Sequence, residues 1–328
     1  MTCRLGSGPG NLLGDSGARS SRQRSRALLP EGGRNVTFFR AEGISDIYPA
    51  LLEHALENGE EVSPRGQSTL EVCPLVFELL DPTKCLVLQR ARRLNYAFAI
   101  AERLALLGGS NDPDMLSFYV PRIREFVNCE TGCFDGAYGP RVRPQLDFVY
   151  RELIQDPNSR RAVVSIFSPS DQRPSLDIPC TLTLQFLIRR MRLDMIVNMR
   201  SSDLYLGLPY DVSQFAYLQQ VLAGWLQVTP GRYLQFASSG HIYRRDVSKV
   251  QSLLRDPLSF ETMRLAVPLL PYYESIEQLE ILISIEHRIR LGVSGPSVVP
   301  EKDAVASEYE EYVEVLRRHH DRHLAAVV

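Results

Sequence analysis

The stretch MRSSDLYLGLPYDVSQF (199–215) joins two segments of different pattern. Before it, DMIVNM (194–199) is short and β-branched and reads as a strand. After it, VSQFAYLQQVLAGWL (212–226) has the spacing of a helix. Between the two lie Arg200, Ser201, Asp203 and Asp211, a polar set held within twelve residues. Working outward, AVVSIF (162–167) and TLTLQFLI (181–188) read as strands, as does a segment near 233–244. Asp46 to Glu57 reads as a helix ended by Gly59, and Leu86 to Leu107 as a helix that stops at Gly108-Gly109. Residues 144–155 start with Pro144 and place Leu146, Val149, Leu153 and Ile154 on one helical face. Two further helices are expected at 275–292 and about 307–325. Strands and helices without regular βαβ alternation, and without an internal repeat, indicate an α+β domain.

The bulk numbers narrow the function classes. The 328 residues are 44% hydrophobic and 23% charged, with a formal net charge of −2. That balance argues against a protein that lives on nucleic-acid phosphates, although a local arginine cluster could still hold a small phosphate. No apolar run has the length of a membrane span, and the first residues lack the apolar region of a secretory signal. Six scattered cysteines (3, 73, 85, 129, 133 and 180) do not form a disulfide framework and suit a reducing, cytoplasmic setting. Residues 1 to 35 are rich in Gly, Ser and Arg and are expected to be a disordered tail, with the folded domain covering 36–328.

Cys180, in DIPC (177–180), stands at the edge of a predicted strand. A free cysteine is ordinarily a buried packing residue, and its company is what sets this one apart. DPNSRR (156–161), IPC (178–180), RSSDLYLGLPYD (200–211) and HIY (241–243) follow in that order. Together they resemble the signature segments of the thymidylate synthase superfamily. Two looser matches precede them: SPRGQSTLEV (63–72) resembles the family's phosphate loop, and AERLALLGGSND (101–112) its glutamate-bearing helix. The resemblance covers about residues 45–245.

The resemblance implies a single domain with a mixed β-sheet flanked by helices. It implies a one-carbon transferase that acts on a pyrimidine nucleoside monophosphate with methylenetetrahydrofolate as co-substrate and without a metal. Cys180 would add to C6 of the ring and make C5 nucleophilic, dividing one hard step into easier ones. Arg200 would favour the thiolate. Arg65, Arg200 and Ser201 of one subunit would hold the 5′-phosphate with Arg160 and Arg161 of the other, so a homodimer is implied. Asp203 would lie near the base, His241 and Tyr243 would bind the sugar, Tyr138 would help move the C5 proton, and Glu102 would organise water and proton transfer. Each has a plainer reading. Arg160 and Arg161 could be solvated, Asp203 a turn carboxylate, and His241 and Tyr243 packed residues on one strand face. Glu102 on an apolar helix is costly to bury without purpose.

Four departures qualify the resemblance. Asp211 stands where thymidylate synthases carry Asn, as in the branch that hydroxymethylates cytidylate; a carboxyl group suits cytosine N4 and N3. The stretch 117–142 has no tryptophan beside the folate position, and Trp225 is the only one in the chain. Thr181 replaces a His, and Met199 replaces a Gln. All four point away from thymidylate synthesis, and Asp211 with the missing tryptophans points to hydroxymethylation of CMP or dCMP. The alternatives are C5 methylation of dUMP or UMP, or a non-catalytic nucleotide-binding relative. Cys129 and Cys133 lack a second ligand pair, and His319 and His323 lie in a basic helix end, so neither pair implies a metal.

Overall fold

The computed structural model describes residues 36–89, 91–256, 260–265, 267–293 and 305–327. The expected N-terminal tail lies outside these residues. From Val36 onward the chain forms one compact unit. Its strands are β1 (Phe38–Ala41), β2 (Glu60–Val62), β3 (Thr69–Val72), β4 (Leu75–Leu79), β5 (Leu86–Leu88), β6 (Val163–Ser165), β7 (Thr181–Arg189), β8 (Arg192–Met199), β9 (Ser202–Asp203), β10 (Thr229–Ala237), β11 (Gly240–Tyr243) and β12 (Glu261–Met263). Its helices are α1 (Ile44–Asn58), α2 (Tyr96–Gly108), α3 (Pro113–Tyr119), α4 (Gly139–Gln155), α5 (Leu208–Trp225), α6 (Val247–Leu254), α7 (Tyr272–Arg290) and α8 (Ser307–Val327).

A six-stranded sheet runs in the order β1-β4-β10-β8-β7-β6. It is mixed: β1 is parallel to β4 and β10 to β8, while β4–β10, β7–β8 and β6–β7 are antiparallel. The expected α+β fold with a mixed sheet is therefore present. One sheet face carries Leu184, Phe186, Met195, Val197, Tyr233 and Phe77, all buried. Against it lies α5, from which sixteen residues are buried. A helix buried nearly all round belongs in the centre of a domain, and α5 packs on the sheet, α2 and α7. The opposite sheet face, with Leu234, Ile196, Gln185 and Leu187, is only half-buried, and Phe236 is exposed.

Most predicted elements are present with shifted ends. The long helix expected at 86–107 is not. Leu86–Leu88 is instead strand β5, paired with β12, and α2 begins only after Asn95, whose side chain accepts from Phe98 N. The expected strand at 233–244 is two strands, since β11 leaves the large sheet to pair with β3 and β9. The helix expected from Pro144 starts earlier, at Gly139, and carries Pro144 inside it. The last helices occur as α7 and α8. No described helix is long and apolar enough to cross a membrane.

Candidate active site

The open end of the β7–β8 hairpin, opposite its turn, brings two chain segments together at the sheet's end. Thr181 pairs with Met199, and Arg200 N donates to Cys180 O at 2.8 Å. The Arg200 guanidinium then donates to the carbonyls of Ile178 and Pro179, both at 2.9 Å, and to Ser201 Oγ at 3.3 Å. Ser201 Oγ donates in turn to Cys180 Sγ at 3.5 Å. Arg200 thus clamps the strand that presents the thiol and also lies beside it.

The thiol sits on the wall of a cavity of about 290 Å3. Cys180, Glu102, Tyr138 and Asp211 all line it, so four residues chosen from sequence meet at one place. The cavity is also lined by Asp177 and Gln214 and by an apolar group that includes Phe98, Leu116, Ile123, Phe126 and Phe134. None of these was singled out from the sequence. Gln214 follows Asp211 by one helical turn and Asp177 belongs to the same DIPC segment as Cys180, so local spacing held a signal for both. The apolar wall comes from α2, α3 and the loop after it, and no local pattern marks those side chains.

Burial controls the protonation of this cavity. It pushes the Cys180 thiol up, and the charge of Arg200 and the Ser201 hydrogen bond offset only part of that. The lowering expected from Arg200 is present but does not prevail. Glu102 Oε2 is buried without a partner. Burial first and the charge of Asp211 second hold the Glu102 carboxyl well above the usual range. Asp211 occupies the first turn of α5, where the helix dipole favours a negative charge. Burial outweighs that and, with the nearby charge of Asp203, pushes Asp211 up to about 7. Among the described residues its side-chain donor is Gln214 Nε2, at 3.4 Å. Tyr138 stacks on Phe215, and its hydroxyl accepts from Thr181 N at 3.3 Å and Thr181 Oγ1 at 3.1 Å. Burial keeps that phenol protonated.

The remaining candidates lie outside the cavity lining. His241 and Tyr243 share one face of β11 with their rings at 89°. β9 runs beside β11 and sets Asp203 opposite His241. Asp203 Oδ1 accepts from Tyr205 N at 3.0 Å and Leu206 N at 2.9 Å, which shapes the turn leading to Asp211. Burial disfavours charge on both His241 and Asp203, and the positive charges of Arg200 and Arg65 further depress His241. Arg65 is exposed, with a left-handed φ of 51° beside Gly66 at 76°. Arg160 and Arg161 line a separate hollow with Glu152, Gln155, Asp156, Asn158 and Ser159, away from the Cys180 cavity. Met199 is buried, and its sulfur accepts from Gln235 Nε2 at 3.1 Å. His319 and His323 lean on the ring of Phe118.

Comparison with known proteins agrees with this geometry. A deoxyuridylate hydroxymethyltransferase of Bacillus phage SP01 is 30% identical over 221 residues, 62% of this chain and 57% of that protein. A deoxyuridylate hydroxymethyltransferase of Pseudomonas phage M6 is 31% identical over 214 residues, 62% of this chain and 60% of that protein. The chain thus spans less than two thirds of the length of these relatives. The sequence profile described as thymidylate synthase matches residues 46–282, well over half of the chain and every residue of the cavity, and this chain belongs to the thymidylate synthase family.

Proposed function

We propose that this chain transfers a hydroxymethyl group to C5 of a pyrimidine nucleoside 5′-monophosphate, with a cytidine nucleotide as its preferred substrate. The observation that carries the base preference is Asp211, a buried carboxyl held near neutrality in the same cavity as Cys180. Its ionised form accepts from the cytosine N4 amino group and opposes uracil O4, and its neutral form can also donate O–H to cytosine N3. An acid kept neutral by its surroundings is an established device for such donation.

The reaction divides among the chain's own groups. Cys180 adds to C6, which breaks the conjugation of the ring and makes C5 enamine-like. Tyr138, fixed by Thr181 and held protonated, is suited to position the group that takes the C5 proton. Glu102, with an unpartnered buried oxygen, is suited to donate a hydrogen bond to the ring or to a water. Methylenetetrahydrofolate, when bound, supplies the one-carbon unit. The apolar wall of Phe98, Leu116, Ile123, Phe126 and Phe134 beside the orphaned Glu102 oxygen fits a flat heterocycle of that kind. Arg65, Arg200 and Ser201 are assigned to the 5′-phosphate, and Asp203, His241 and Tyr243 to the base and sugar. Arg160 and Arg161 are assigned to the phosphate of a second subunit. The half-buried outer sheet face, where Leu234 sits beside Ile196 and Phe236 beside Val76 and Asn198, supports a homodimer.

The names of the phage relatives favour a second reading, deoxyuridylate as substrate. A neutral Asp211 accommodates this too, since its O–H can face uracil O4 and its carbonyl can accept from N3–H. The test is tritium release from [5-³H]CMP, [5-³H]dCMP and [5-³H]dUMP with methylenetetrahydrofolate, with product masses recorded and Cys180→Ala as control. A hydroxymethylated cytidine nucleotide, absent with Cys180→Ala, is expected. Exclusive reaction of dUMP would replace the cytidylate reading, and a methylated product would replace hydroxymethylation.

A further inference from the structure

We infer that Asp177 is the general base for the water that completes the reaction; the inference rests on the hydroxymethyl transfer proposed above. Such a transfer ends with a methylene group on C5 of the nucleotide, still joined to Cys180 through C6. Water must then add to that carbon and give up a proton to some group of the cavity.

The cavity offers four oxygen-bearing acids, and three are poorly suited. Glu102 Oε2 is buried without a hydrogen-bond partner among the described residues, and burial opposes charge on its carboxyl. Asp211 is engaged as the base reader. Tyr138 is held protonated and already accepts two hydrogen bonds from Thr181. Asp177 differs in its support. Burial raises its carboxyl above the ordinary range, but Oδ2 accepts from Gly136 N at 2.8 Å, and that bond and the charge of Arg141 offset part of the rise. The approach is close: a Cβ at Gly136 would stand 2.6 Å from Asp177 Oδ1, so only glycine admits it. The neighbouring Asp135 does not compete, because Asn128, Ser175 and Arg173 already occupy its carboxylate. Among the described residues Asp177 Oδ1 accepts from no donor, and Asp177 stands three residues before the nucleophile on the same wall.

The step balances without another reactant. The water oxygen bonds to the exocyclic carbon and its proton passes to the Asp177 carboxylate. The C5–methylene electron pair moves into the ring, then returns as C5=C6 while the C6–Sγ bond breaks and Cys180 leaves as thiolate. The proton on Asp177 afterwards neutralises that thiolate or passes to solvent.

The test uses the full chain, C5-tritiated nucleotide, methylenetetrahydrofolate and 2-mercaptoethanol as a competing trap. Tritium release reports the steps up to the methylene, and product mass separates the hydroxymethyl nucleotide from the trapped thioether. For Asp177→Asn, tritium release should stay within a few-fold of wild type. The ratio of hydroxymethyl product to released tritium should fall at least tenfold, with thioether making up the difference. Asp177→Glu should recover part of that ratio. If Asp177→Asn lowers release and product in proportion, or changes neither, Asp177 is not the base. If the wild-type chain itself makes no hydroxymethyl nucleotide, the proposed function fails first and this inference with it.

Discussion

Glu102 and Asp211 line the same cavity from different helices, and the charge of Asp211 is the second reason, after burial, that Glu102 resists ionisation. Two acids in one apolar enclosure cannot both be charged cheaply. The cavity therefore holds neutral hydrogen-bond donors at near-neutral pH, which suits reading a pyrimidine edge. Glu102→Gln keeps the shape and the donor but cannot exchange a proton. We expect tritium release to fall about 10²–10⁴-fold while the melting temperature stays within a few degrees, measured by calorimetry and the release assay on one preparation.

Asp211→Asn should exchange the preferred base. An amide can donate to uracil O4 and accept from N3–H, whereas the ionised form of Asp211 has only acceptors, which suit the cytosine amino group and oppose uracil O4. Sites that hydrogen-bond a substrate group discriminate by about 10⁴-fold when that pairing is lost. The ratio of kcat/KM for cytidine over uridine nucleotides should shift by several orders of magnitude toward uridine. An unchanged ratio would remove Asp211 from base selection.

The same carboxyl predicts a pH dependence of stability. Its pKa is raised from 3.8 to about 7 in the folded chain. Between those values the folded chain keeps a proton that the unfolded chain releases, so stability falls as pH rises through that window. The contribution is fully present below 3.8 and gone above about 7, with a total of about 4 kcal/mol at most. Asp211→Asn should flatten that slope and stabilise the chain at pH 8. Urea unfolding at pH 5 and pH 8, for both proteins, measures the difference.

Much of the cavity was legible in the sequence because its chemistry clusters in short runs. Cys180, Asp211 and Glu102 each sit in a quoted segment, Tyr138 was named by the resemblance, and the fold brings all four to one cavity. What was not legible depends on contacts far apart in sequence. Leu86–Leu88 has a helical pattern locally but is a strand because Glu261–Met263 pairs with it. The apolar wall from Phe98 to Phe134 is set by packing of α2 against α3 and α4, which no local period reveals. The net direction of the Cys180 shift was not legible for the same reason: Arg200, a neighbour in the motif, does lower it, while burial, a property of the whole fold, prevails.

Thr181 holds Tyr138 through both its backbone N–H and its hydroxyl. Thr181→Val keeps the branched shape and the backbone bond and removes only the second contact. A single neutral hydrogen bond contributes about 1 kcal/mol, so stability should drop by about that amount. Proton removal at C5 should slow about tenfold if the lost contact mispositions the phenol. A larger isotope effect on tritium release would show that this step has become limiting, and an unchanged isotope effect would assign Thr181 to packing alone.

Arg103 ties α8 to the helices that line the cavity. It is buried next to Glu102 on α2, donates to Tyr312 Oη on α8 at 3.1 Å and to Ser213 Oγ on α5, and lies over the ring of Tyr217. A second contact, Tyr217 Oη to Tyr309 Oη at 3.3 Å, joins α5 to α8 again. These bonds tie α8 to the two helices that carry Glu102 and Asp211. Truncating the cation leaves a cavity and two polar partners without their donor, a combination that costs about 3–5 kcal/mol. Arg103→Ala should therefore lower the midpoint of chemical unfolding markedly. Tyr312→Phe, which removes one hydroxyl and keeps the ring, should cost only about 1 kcal/mol. If α8 serves merely as an external strut, both variants retain wild-type kcat once folded. If it fixes α2 as the geometry indicates, kcat falls in Tyr312→Phe as well, in a protein whose stability has hardly changed.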